Sequence, residues 1–136
     1  MNNKLIFLLS LFGLAMAFAT ISAISSRVEP YFWLVIFIIC AWIIARNCTG
    51  NFFLHGFWVG ILNCVWILIV HSIWYRTYMV NHPAMVKMAS WPFPGHSRRD
   101  MLVIGPIIGV ISALVQGFFA WVASQLVKPT PTPKAA

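Results

Sequence analysis

The chain has 136 residues, 61% of them hydrophobic and 8% charged, with nine Lys and Arg, two acids and a formal charge of +7. A soluble domain carries about a quarter of its residues as charged side chains, so a soluble globular core is excluded, and the length leaves room for one bundle only. The positive charge is scattered among the connections, which suits anionic lipid headgroups at helix ends and excludes nucleic acid as a partner.

The charges lie at the ends of, or between, four apolar spans expected at residues 5–24, 30–46, 52–75 and 102–127. A hydrocarbon core ~30 Å thick takes roughly 20 apolar residues as a helix, and a helix satisfies its own backbone where there is no water. The second span is short and is completed by its flanks, Val28 to Asn47. The sequence therefore predicts an all-α integral membrane protein, a four-transmembrane-helix bundle with one short interfacial helix, forming a single domain over 1–136.

Lys4 ahead of the first run, with Ala15, Ala17 and Ala19 further on, resembles a cleavable signal peptide. The run continues through Ile24 without a polar end, so an uncleaved helix is expected, able to pack closely at Gly13 and Ala17. Pro30 suits the first turn of helix two, and Tyr31, Phe32 and Trp33 form an aromatic belt. The interior of helix two is bulky on nearly every face, which predicts a lipid-facing helix with Arg46 at its exit. The tight turn 47–51 predicts an antiparallel hairpin of helices two and three. Asn47-Cys48-Thr49 fits a glycosylation sequon, but its place between two helix ends makes it a coincidence of spacing.

On a wheel of ~100° per residue, Gly56, Gly60, Asn63, Ile67, His71 and Trp74 share one side of helix three. Gly56 and Gly60 make a small-xxx-small pair that admits another helix. Asn63 is near the bilayer midplane, where an unpaired amide costs several kcal/mol, so it should face protein. In helix four, Gly105, Gly109, Ala113 and Gly117 recur every four residues as a glycine-zipper-like ridge, with Ser112 and Gln116 alongside and Pro106 in the first turn. The simplest bundle joins the small faces of helices three and four and brings Asn63 and Gln116 within reach of each other. Between these helices, residues 81–92 read as an interfacial segment whose helix, 83–91, inserts Met85, Met88 and Trp91 and turns Lys87 to the headgroups. The tail 128–136, with Pro129, Pro131 and Pro133, is a polyproline-like stub.

Chemistry has little to work with. There is no carboxylate pair, no Ser-His-Asp set and no phosphate-cradling loop, so no enzyme is expected. His55 and His71 lie ~24 Å apart by helix rise and no other predicted span supplies a histidine, so no haem or other cofactor is expected. The best metal set is His71, His82 and His96 with Met85 and Met88, a combination suited to Cu(I); interfacial filling by Met and His is the simpler account, and no metal is expected. Cys40, Cys48 and Cys64 make no CxxC pattern.

The expected function is that of an accessory, assembly or structural membrane protein, acting by helix–helix contact with copies of itself or with other membrane proteins in the lipid bilayer. The rival is a small oligomeric transporter or channel lined by Asn63, Gln116 and His71. A side closed within one chain favours the first, and a side open on a cavity favours the second. An even number of spans puts both termini on one side. Lys4, Arg46, Lys128 and Lys134 against Arg27, Arg76, Lys87, Arg98 and Arg99 do not choose which side.

Overall fold

The computed structural model describes residues 1–82 and 97–127. Five helices cover them in order: α1 (Asn3–Ser22), α2 (Glu29–Asn47), α3 (Phe52–Ile73), α4 (Tyr75–Asn81) and α5 (Ser97–Leu126). Four are long and apolar enough to cross a bilayer: α1, α2, α3 and the Met101–Leu126 part of α5. The chain is thus an all-α membrane protein built as a four-helix bundle, the class its apolar spans predict.

Local chemistry fixes several ends. Asn2 caps α1, its Oδ1 accepting the Leu5 N–H at 3.1 Å. Pro30 occupies the first turn of α2, where no donor is missed. Asn51 enters α3 with a φ of 53°, a left-handed conformation that asparagine tolerates better than most residues.

Two boundaries differ from the sequence expectation. The third span does not run to residue 75: Trp74 leaves helical geometry (φ −97°, ψ 32°) and the chain turns into the short α4. Asn81 Nδ2 then donates to Ile21 O at 2.9 Å, so α4 folds back over the end of α1. The last helix begins at Ser97, a full turn before the apolar run, so Pro106 stands inside it and the Leu102 carbonyl lacks its usual partner. The interfacial helix 83–91 and the tail 128–136 lie outside the described residues, as do His96, Met85 and Met88.

The helices pack in the order α1, α3, α5, α2, with the α3–α5 contact the most extensive and α2 touching α1 and α3 only slightly. Helices two and three are consecutive, yet the main partner of α2 is α5. Gln116 Nε2 of α5 donates to Phe37 O of α2 at 3.3 Å, and the Phe37 and Phe119 rings meet edge-on at 6.2 Å. Nor does α2 face lipid all round: Ile36, Cys40, Ala41, Ile44 and Ala45 are buried, all beyond its first two turns. All but Ala45 join Ile6, Leu9, Val59 and Ala120 in a core near one end of the bundle.

In lipid, apolar burial drives helices together weakly, so close backbone approach and interhelical hydrogen bonds matter more. The α3–α5 seam is built on such approach. A Cβ on Gly60 would stand 2.5 Å from Ala113 Cα, and one on Gly56 would stand 2.6 Å from Gln116 O. One on Gly117 would stand 2.9 Å from Phe53 O. Gly109 and Gly105 meet side chains instead, those of Cys64 and Leu68. The α1–α3 seam uses polar links: Trp66 Nε1 donates to Ser10 Oγ at 3.2 Å, and Thr20 meets His71.

Candidate functional site

The first two turns of α2 carry no buried residue, and the helix there borders open space towards α3 and α5. Small side chains at Cys40, Ala41 and Ala45 let α2 close in at one end, while Trp33, Leu34 and Phe37 stand in the gap at the other. The result is a lateral cleft of ≈ 970 Å³ bounded by α2, α3 and α5, with α4 at its mouth. Its walls are mainly apolar. Polar groups occur at two levels: Ser26, Glu29, Tyr78 and His71 towards the mouth, and Asn63 and Ser112 deeper. Eight helical residues separate Asn63 from His71, a depth of ~12 Å.

At the mouth, His71 is buried between α1 and α4. Its Nε2 lies 2.9 Å from Thr20 Oγ1. The Thr20 hydroxyl also lies 2.8 Å from Met16 O and 3.2 Å from Ala17 O; with its single proton given to either, the imidazole is the donor in this pair. The Tyr78 ring stacks on His71 with centroids 4.1 Å apart, and His82 stacks on its other face at 4.4 Å. Both faces of Tyr78 are therefore taken, leaving its hydroxyl as the polar part. Burial, and then the nearby Glu29 carboxylate, push that hydroxyl up to about 12 from the usual value of 10. Glu29 begins α2, where the helix N-terminus favours an anion, and its Oε1 accepts from Trp33 Nε1 at 3.2 Å.

Deeper in, Asn63 is 3% exposed and neither amide atom has a hydrogen-bond partner. It lies against Gly13 of α1, where no side chain could fit, and borders the cleft. Gln116 is fully buried, bonded to α2, with Oε1 unpartnered. The two amides share no hydrogen bond: Asn63 turns to α1 and Gln116 to α2, so the reach expected between them is not made.

His55 sits at the opposite end. The Asn2 N–H donates to its Nε2 at 2.9 Å, leaving Nδ1 to donate to Asn51 O at 2.8 Å. It therefore clamps the amino terminus to the α2–α3 turn. Nearby Cys48 is a free thiol that burial pushes up, against the opposing pull of the terminal ammonium. Among the described residues no three His, Cys, Asp or Glu side chains are grouped as metal ligands. Of the Cu(I) candidates, His71 and His82 are held on opposite faces of Tyr78 and cannot share an ion in this arrangement.

The sequence reading did not single out Glu29 and Tyr78, and it placed Trp33 in an aromatic belt rather than in a site. Glu29, Trp33 and Phe37 recur every four residues along one face of α2, and His71, Tyr78 and His82 follow spacings of seven and four. Both patterns are visible once looked for. Compared with known proteins, the chain matches no family model, no curated protein and no solved structure.

Proposed function

We propose that this protein holds an amphipathic small molecule, taken laterally from the bilayer, in the cleft between α2, α3 and α5, in the manner of a small carrier. The cleft itself carries this reading: an apolar space between helices with a few converging polar groups is the usual form of a small-molecule site, and those run to about 1,000 Å³. The closed core around Cys40, Ile44 and Val59 lies beyond one end of the cleft, which favours holding a ligand over passing ions through one chain. The glycine rows also favour it. Gly56, Gly60, Gly105, Gly109 and Gly117 all meet neighbours within the chain, so they are not free to receive another protein.

The second reading is an accessory or assembly protein, with a helix from another copy or another membrane protein seated in the same cleft. It is supported by the unpartnered Asn63 amide, since amides commonly bond across helices in membranes.

A photoactivatable long-chain alcohol, presented in lipid nanodiscs and mapped by mass spectrometry, tests the ligand reading. Labelling should concentrate at Phe37 and Leu68 in the cleft. Labelling that simply follows lipid exposure, strongest at Ile107 and Ile111 on the outside of α5, would overturn it.

A further inference from the structure

The only formally charged side chain among the described residues of the cleft wall is Glu29. This is a reversal of the chain's character, since nine Lys and Arg stand against two acids in all. The carboxylate takes one hydrogen bond from the Trp33 indole, and no described Lys or Arg forms an ion pair with it. At the mouth of a mainly apolar cleft, this half-buried carboxylate is placed to meet the cationic end of a ligand.

The wall beside it is aromatic. Trp33 and Phe37 follow Glu29 at successive turns of α2, their rings 6.0 Å apart and edge-on to each other. Aromatic faces attract cations, above all organic ones that shed water easily. Beyond them the cleft continues between Leu34, Leu68 and Ile108, which suits an apolar body rather than a hydrated metal ion.

Resting on the ligand-holding reading above, we propose that the cleft selects organic cations: an amine or quaternary ammonium group at Glu29, beside Trp33 and Phe37, with its apolar body lying along α3 and α5. An anionic amphiphile would meet the Glu29 carboxylate unfavourably, and a neutral one would leave it unpaired. Charge complementarity therefore supplies selection, and the apolar walls supply affinity.

The test is binding of radiolabelled tetraphenylphosphonium to the full chain in nanodiscs of uncharged phosphatidylcholine, with tetraphenylborate as a competitor of matched shape and opposite charge. Saturable binding of the phosphonium is expected, with no displacement by the borate. Glu29→Gln, which keeps an acceptor for Trp33, should weaken binding ~10-fold or more. Arg46→Gln, at the other end of α2, should leave it unchanged. Thermal unfolding of Glu29→Gln separates lost binding from lost folding.

Absence of saturable binding, equal displacement by the borate, or unchanged affinity in Glu29→Gln would each overturn the proposal. The photoactivatable alcohol separates the two levels. If it still labels Phe37 and Leu68 while the phosphonium fails, cation selection falls and the ligand-holding reading stands. If neither enters the cleft, both fall.

Discussion

Thr20 and His71 meet in the buried α1–α3 seam, Nε2 to Oγ1 at 2.9 Å, and the same hydroxyl lies within reach of two carbonyls of its own helix. With the threonine proton given to its own helix, to Met16 O or Ala17 O, the hydroxyl oxygen is left as an acceptor. The imidazole therefore donates through Nε2, and in the neutral ring Nδ1 carries the lone pair. One hydroxyl on α1 is thus coupled to the tautomer of a histidine on α3, and Tyr78 stacks on that same ring from α4.

Thr20→Val should consequently cost stability. Valine has nearly the same shape, so packing is kept while the His71 N–H is left buried without an acceptor, a loss of ~1–3 kcal/mol. Thr20→Ser keeps the hydroxyl and should recover most of it. Thermal unfolding in mild detergent checks both, and a Thr20→Val protein as stable as the parent would show the bond to be incidental.

Gly60 and Gly109 should respond differently to the same substitution. The added methyl at Gly60 would meet Ala113 Cα at 2.5 Å, where only a shift of the whole helix gives room. At Gly109 it would meet the Cys64 side chain, with Cβ at 2.6 Å. Each Ala variant should lose ~1–3 kcal/mol by overpacking, with Gly60→Ala the more damaging. Gly109→Ala should be partly rescued by Cys64→Gly, while no single truncation rescues Gly60→Ala. Rescue of neither, or equal losses at both, would count against this account of the seam.

The apolar spans were legible because bilayer thickness sets their length whatever the helices touch. What ends a helix was less so. No proline or glycine marks Trp74; the chain breaks there because α4 is held by tertiary contacts, Asn81 on Ile21 O and Tyr78 between two histidines. At Ser97 the helix begins in charged residues, and hydropathy reports only its apolar part. The cleft was not legible at all. Helix two is apolar on every face, so its sequence cannot say that it leans on α5 at one end and stands clear at the other. Glu29 read as a boundary residue for the same reason: its role depends on which wall its helix joins. Asn63 read as facing the last span, because the small residues Gly13 and Ala17 of α1 show that a helix can approach there but not which one.

Tyr78 provides a prediction in pH. Its hydroxyl is held up to about 12 by burial and by the Glu29 carboxylate, against 10 ordinarily. The folded state therefore prefers the neutral phenol. This contribution is fully present below pH 10 and is lost as pH rises through about 12. In a spectrophotometric titration, the absorbance missing in Tyr78→Phe should be the late-titrating part of the wild-type curve. Glu29→Gln should move that step downward without restoring it fully, since burial is the larger cause. A Tyr78 signal that titrates near 10 would mean that the stack with His71 and His82 does not shield it.

The orphan amide of Asn63 separates a strut from a binding group. Asn63→Leu replaces both unpartnered atoms, Nδ2 and Oδ1, with carbons in the same branched shape. A buried amide without partners is a net cost, of about 1–3 kcal/mol in mutational data. The purified variant should therefore unfold at the same temperature as the parent or higher. Binding should move the other way. Asn63 borders the cleft ~12 Å below His71 by helix rise, so a ligand extending that deep loses its hydrogen-bonding partner, and photolabelling at Leu68 should fall. Should Asn63→Leu instead unfold more easily, the amide would have a partner in the assembled protein. If the variant then also shifted from a larger to a smaller species on sizing in mild detergent, that partner would be a second chain, and assembly would replace ligand holding as the role of the cleft.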